Sequence, residues 1–187
     1  MNTMQGDNLS IRESTVNDFE KIINYFHASG EEHLLRMGVD ASKLPERTAW
    51  LQLLKDEQEQ SMENKKFFFV TWLLANTPVG HSSITKIIFG EEAYMHLHIW
   101  EAGKRQKGNG TKFVALSLPP YFKNFKLKKL YCEPNALNPS PNSTLKNLAF
   151  DFIQQHETTP GYLNFHQPVN KWCLDFEKFK LLYGSKI

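Results

Sequence analysis

The stretch Tyr94-Met-His-Leu-His-Ile-Trp-Glu-Ala-Gly-Lys-Arg-Gln-Lys-Gly-Asn-Gly-Thr-Lys-Phe-Val-Ala-Leu116 decides how this chain is read. It begins as an alternating strand, passes through a basic, glycine-bearing loop, and then takes on the apolar spacing of an amphipathic helix. A helix start offers unpaired N–H donors and a partial positive charge, so a loop entering there is a natural anion cradle. Gly108 and Gly110 let a bulky phosphate approach the backbone, and Lys104, Arg105 and Lys107 add positive charge. A phosphorylated ligand is expected at this loop.

Two familiar phosphate loops do not fit. Gly103 to Gly108 has the glycine spacing of a P-loop, but Asn109-Gly110 stands where Lys and then Ser or Thr are required. A dinucleotide fingerprint would need a third glycine where Phe113 stands. What remains is Arg105-x-x-Gly108-x-Gly110, which resembles the Arg/Gln-x-x-Gly-x-Gly/Ala loop of the GNAT superfamily of acyl-CoA-dependent N-acyltransferases. Downstream, Asn138-Pro-Ser-Pro-Asn-Ser-Thr-Leu-Lys-Asn-Leu-Ala-Phe150 resembles that family's Asn-x-x-Ser/Ala…Leu-Gly-Phe segment. Ala149 replaces the usual Gly, and Leu145 stands where many members carry the Tyr that protonates the departing thiolate. The resemblance spans roughly Leu9 to Trp172. It is strongest to the branch of ribosomal-protein, aminoglycoside and siderophore-type acetyltransferases.

The bulk properties agree with such a protein. At 187 residues and 41% hydrophobic content the chain can bury one sizeable core, so residues 1–187 are expected to form a single domain. A formal charge of +2 gives no reason to expect nucleic-acid binding. Cys132 and Cys173 are too few for a disulfide framework or a Cys-rich zinc site. No secretory segment or membrane-length run is visible, and a cytoplasmic location without membrane association is expected. Asn142-Ser-Thr144 has the form of a glycosylation sequon, which carries no meaning in that compartment.

The element order reads as a strand at Leu9–Glu13, a helix capped by Thr15 and ended by Gly30, a loop or short helix, and a helix from Pro45 to about Glu59. Strands follow at Phe67–Leu74, Val79–Ile88 and Tyr94–Trp100. A helix to about Lys123, a strand at Lys128–Glu133 and a helix at Asn142–Leu148 come next. Strands at Phe150–Gln155 and Phe165–Cys173 and a helix at Asp175–Leu182 complete the chain. This order is α/β with a mixed sheet. The resemblance implies the GNAT fold, a mixed and mostly antiparallel central sheet flanked by helices.

Alternation sorts the strand residues. Met95, Leu97 and Ile99 share an apolar face, and Tyr94, His96, His98 and Trp100 share the other. His81 and Ser83 of the preceding strand are expected on that second face. Tyr131 and Glu133 alternate along the next strand. Histidine has an unperturbed pKa near ~6.5 and suits proton transfer at neutral pH. The bland readings are a hydrogen-bonded structural histidine for any one of the three, and a zinc site for the trio. Glu133 either meets a substrate cation or is an exposed strand end. Lys123, Lys126, Lys128 and Lys129 read first as a solvated basic surface.

The resemblance implies a direct ternary-complex acetyl transfer from acetyl-CoA to a primary amine of a small molecule or a peptide N-terminus. The backbone of Arg105, Gln106, Lys107, Gly108, Asn109, Gly110 and Thr111 would hold the pyrophosphate of coenzyme A, with Asn138 and Ser140 nearby. An amide near His98, Ile99 and Trp100 would polarise the thioester carbonyl. His96 or His98 would take the amine proton, while Glu133 is a further candidate and His81 and Ser83 would face the acceptor. Without Tyr at 145, Tyr131, Ser140 or water would serve the thiolate. No metal is implied, and the protein would be a monomer or homodimer. The rival reading is a non-catalytic acyl-CoA-binding or regulatory protein on the same fold.

Overall fold

A computed structural model describes residues 8–101 and 108–184. Lys104, Arg105, Gln106 and Lys107, expected in the phosphate loop, lie outside the described residues; Gly108 onward is described.

Seven strands form one sheet: β1 (Leu9–Glu13), β2 (Phe67–Leu74), β3 (Thr77–Ile88), β4 (Glu92–Ile99), β5 (Lys129–Cys132), β6 (Asp151–Thr158) and β7 (Gln167–Asp175). Their spatial order is β1-β2-β3-β4-β5-β7-β6. Every neighbouring pair is antiparallel except β4 and β5, which run parallel. Among the described residues six α-helices accompany the sheet: α1 (Val16–Ala28), α2 (Glu31–Arg36), α3 (Arg47–Gln58), α4 (Asn109–Phe125), α5 (Pro139–Asn147) and α6 (Phe176–Tyr183). The mixed, mostly antiparallel sheet is the one the sequence implies. Most boundaries lie within two residues of expectation. The exceptions include α5, which starts three residues earlier because Asn138 and Pro139 supply its cap and first turn.

Each face of the sheet has its own core. Under α4 lie Trp72, Ile84, Met95, Phe113, Leu118 and Phe122, all buried. Trp72 and Phe113 stack at 5.1 Å. The polar atoms buried with them are paired: the Trp72 indole donates to Ser117 Oγ (2.9 Å), and the Ser82 and Tyr121 hydroxyls share a hydrogen bond (2.7 Å). On the other face, α1, α2 and α3 bury Phe19, Ile22, Phe26, Leu34, Trp50 and Leu54. The start of α1 is fixed by Asp18, whose carboxylate accepts from the Thr15 N–H (2.8 Å) and pairs with Arg12.

Gly80 lets β3 and β4 approach closely, since a Cβ there would sit 2.5 Å from the His98 carbonyl oxygen. Among the described residues no helix is long and apolar enough to cross a membrane.

Candidate functional site

Parallel pairing of β4 with β5 runs from Glu92↔Lys129 to Met95↔Cys132 and stops there. β5 ends at Cys132, whereas β4 continues to Ile99 beside β3. The Trp100 N–H donates to Val79 O (2.9 Å). Antiparallel alternation from that bond turns the backbone groups of His96 and His98 toward β3. The same alternation directs those of Leu97 and Ile99 toward the side β5 has left. The sheet therefore opens into a wedge at its centre.

The start of α4 faces this wedge. Gly108 caps the helix with φ +72°, a left-handed conformation that favours glycine. Among the described residues, a Cβ at Gly108 would meet nothing within 4 Å, and one at Gly110 would touch only Ile99 Cδ1 at 3.7 Å. The first helical N–H groups at this cavity-lining start suit an anion.

A cavity of about 1060 Å³ joins the wedge to the opposite face of β3 and β4. One arm is lined by Gly108, Gly110, Thr111, Asn138, Ser140 and Thr144. The other arm lies among α1, α2, α3 and the loop before β7, with Tyr25, Phe26, Met37, Trp50, Tyr162 and Leu163 on its walls. His81, Ser83, His96, His98 and Glu133 lie along the wall between them.

The three histidines are not equivalent. His81 is 1% exposed, and its Nδ1 accepts a hydrogen bond from the Trp100 indole (2.8 Å), which leaves the proton on Nε2. Burial pushes its pKa down to about 3, and the charge of His96 adds to the effect. His81 is thus a neutral member of the cavity wall, with its Nδ1 engaged by Trp100. His96 hydrogen-bonds Thr85 Oγ1 through Nε2 (2.9 Å); desolvation, followed by Lys86, lowers it to about 4. His98 stacks on His81 with centroids 4.9 Å apart and meets the edge of Phe26 at 5.1 Å. No group of three or more His, Cys, Asp or Glu among the described residues is arranged to hold a metal.

Other expected residues are placed differently from their sequence reading. Glu133 is not an exposed strand end: its carboxylate is nearly buried, 3.4 Å from His156 Nε2 and 3.9 Å from Lys171 Nζ. Tyr131 lies off the cavity wall, beneath Lys171, whose ammonium stands 4.3 Å from its ring. Burial raises the Tyr131 pKa, which makes it a poorer acid. Leu145 is fully buried in the core under α4 and does not line the cavity. The cavity side of α5 instead carries Ser140, Ser143, Thr144 and Asn147. Trp100 does not contact the cavity in the way Ile99 does; its indole is spent on His81.

Two devices escaped the sequence reading. Asn142, met as part of a glycosylation sequon, is a hub: its Oδ1 accepts from Asn170 and Trp172 (both 2.9 Å), and its Nδ2 donates to Asn138 O (2.7 Å) and Asn135 O (3.1 Å). It fixes the start of α5 to β7. Gln167, 2% exposed, donates to Gly38 O (2.9 Å) and accepts from Asn135 Nδ2 (2.7 Å). With Asn164, which also donates to Gly38 O (2.9 Å), it ties the turn after α2 to the loop before β7. The positive φ of Gly38 at +72° belongs to this clamp, because a Cβ there would lie 1.9 Å from Gln167 Oε1. Nothing in the local sequence announces either contact, since the partners lie up to 129 residues apart.

By sequence, no family model matches the chain and no curated protein matches it. Solved structures do match. The ribosomal L7/L12 alpha-N-protein acetyltransferase RimL, in complex with coenzyme A, superposes with a TM-score of 0.73 at 12% identity, over 94% of this chain and 98% of that one. Spermidine N-acetyltransferase from Vibrio cholerae, in complex with coenzyme A and spermine, gives 0.75 at 14% identity over 92% and 98%. Aminoglycoside acetyltransferase AAC(6')-Ib, in complex with coenzyme A, gives 0.69 at 13% over 93% and 98%. The chain has the fold these acetyltransferases share, the GNAT fold inferred from the glycine loop and the Asn138–Phe150 segment.

Proposed function

We infer that the protein is an N-acetyltransferase that uses acetyl-CoA and a primary amine in one ternary complex. The observation that carries this reading is the wedge between β4 and β5, with the start of α4 facing it and an unbroken cavity leading from it to a histidine-bearing wall. A thioester donor needs an anion cradle for its pyrophosphate and a slot for its arm, and the first arm of the cavity supplies both. The neighbours crystallised with coenzyme A support the same donor.

The chemistry requires the amine to lose a proton, the developing oxyanion to be stabilised, and the sulfur to gain a proton as the C–S bond breaks. Backbone groups of Leu97 and Ile99 are directed to the wedge and suit the oxyanion. His98 is the group best placed for the amine proton. His96, with its pKa lowered to about 4, stays neutral at working pH and is held by Thr85 at the same wall. The hydroxyls of Ser140 and Thr144 on α5, or water beside them, take the role of proton donor to sulfur, since Leu145 and Tyr131 are out of reach of the cavity.

The test combines titration calorimetry with acetyl-CoA and thiol release in the presence of amines. Binding with amine-dependent thiol release is expected. Binding without release for any amine would favour a non-catalytic acyl-CoA sensor, and absence of binding would overturn the reading altogether.

A further inference from the structure

We propose that the acceptor is a primary amine carried next to an aromatic ring, with no second positive charge. This rests on the acyl-transfer reading above and concerns the second arm of the same cavity. Its walls are aromatic and aliphatic around His98: Phe26 lies 5.1 Å and Tyr25 5.8 Å from that imidazole, and Trp50 lies 5.6 Å from Phe26. Tyr162, 80% exposed as a residue, stands at the rim.

Charge argues in the same direction. Among the described residues lining the cavity, Glu133 is the single carboxylate, and it is already matched by His156 and Lys171. Arg36 and Lys86 bring positive charge to the lining. Several acidic groups on the surrounding elements are engaged elsewhere or turned out. Asp18 is bound by Arg12, Asp40 by the Ser42 N–H and hydroxyl, and Glu46 caps α3. Glu31 and Glu32 are exposed on α2.

A polyamine or an aminoglycoside would bring two or more ammonium groups into this arm. Each beyond the reacting one would be desolvated without a carboxylate, which is costly. An aromatic body gains instead from apolar burial at about 25 cal/mol per Å² and from edge-to-face contact with the ringed walls. Aromatic faces also tolerate a single ammonium, as the reacting amine requires before it is deprotonated. The acceptors named in two of the structural neighbours, spermidine and an aminoglycoside, are therefore the wrong chemistry for this wall.

The experiment uses the full chain. Acetyl-CoA binding is first measured by calorimetry, which tests the acyl-transfer reading by itself. Thiol release is then compared for phenethylamine, tryptamine, a peptide amide beginning with Phe, spermidine and kanamycin. The expected result is kcat/KM at least about 100-fold higher for the aromatic amines than for the polycations. The small amines against the peptide distinguish the two sources of the same chemistry. Tyr162→Ala, at an exposed position that folding does not need, should raise KM for the preferred aromatic amine about 3- to 10-fold with little change in kcat. Faster turnover of spermidine or kanamycin overturns the proposal while leaving acyl transfer standing. Acetyl-CoA binding with no turnover of any aromatic amine, or an unchanged KM in Tyr162→Ala, also overturns it.

Discussion

His81 of β3 and His98 of β4 stack ring on ring, 4.9 Å apart and 27° from parallel, opposite one another in the strand register. The His81 ring is buried and held by the Trp100 indole, and both rings border the cavity. A charge on either would be felt by the other, so the pair is stable only with His81 neutral.

That neutrality has a pH signature. The folded His81 pKa of about 3 lies below the ordinary value near ~6.5, so the unfolded chain binds the proton more tightly. Its contribution is complete above pH ~6.5 and is lost as pH falls toward the folded value. Between pH 6.5 and 5 the loss is about 2 kcal/mol from His81, with His96 acting in the same direction. Urea unfolding across this range should show the slope, and His81→Gln should be less stable at pH 7 but flatter. Parallel pH curves for the variant and the parent would refute this.

Proton transfer should reside mainly in His98. His98→Ala should lower kcat by about 100- to 10,000-fold while leaving acetyl-CoA affinity near the parent value. His96→Ala should do less, because a ring held near pKa 4 contributes little as a base. Steady-state rates across pH, using the identified acceptor, give the comparison. Equal losses for the two, or none for His98→Ala, would move the base to Glu133 or to water.

Gly110→Asp separates folding from donor binding. The new Cβ meets only Ile99 Cδ1 at 3.7 Å, an ordinary contact, and an acidic residue in the first helical turn favours the helix. The melting temperature should therefore hold or rise. Acetyl-CoA affinity should fall at least tenfold, because the carboxylate confronts phosphate. Unaltered calorimetric affinity would remove the pyrophosphate from this helix start.

Ala149→Gly should stabilise the protein. Ala149 has φ +62°, a left-handed conformation that penalises any Cβ. Glycine removes that strain at some cost in unfolded-state entropy, leaving a net gain of up to about 1 kcal/mol. A lower denaturation midpoint would show that the Ala149 methyl contributes packing that outweighs the strain.

Leu145→Phe should lose about 1–3 kcal/mol, because the position is fully buried in the core under α4 and an extra ring has no room. Its folded fraction should still turn over, since no proton donor is removed. A stability equal to the parent would mean that the side chain reaches the cavity after all.

Much of the architecture was legible because local chemistry and tertiary position agreed. The alternation of Tyr94–Trp100 gave the two faces of β4, and Gly108 gave the start of α4. Burial was less accessible. Alternation places His81 and His98 on one face but cannot tell that Trp100 ties up the first. Leu145 illustrates the same gap: motif position suggested a site residue, while the helix rotates it into the core. Glu133, at the end of a strand, gave no hint of Lys171 and His156, which reach it from β7 and β6. The roles of Arg105, Gln106 and Lys107 fall outside the described residues.

The clamp at Gly38 has a consequence for how this protein can change. It joins a turn in the first quarter of the chain to a loop in the last, and both segments border the cavity. The proposed donor site is built from the middle of the chain, at the ends of β4 and β5 and the starts of α4 and α5. On the proposed function, selectivity for the amine would be open to change through exchanges in the two clamped segments while the proposed donor site is left unaltered. A library confined to residues 31–40 and 159–166, with Gly38 and Asn164 retained, would test this through a change in acceptor preference with unchanged acetyl-CoA affinity.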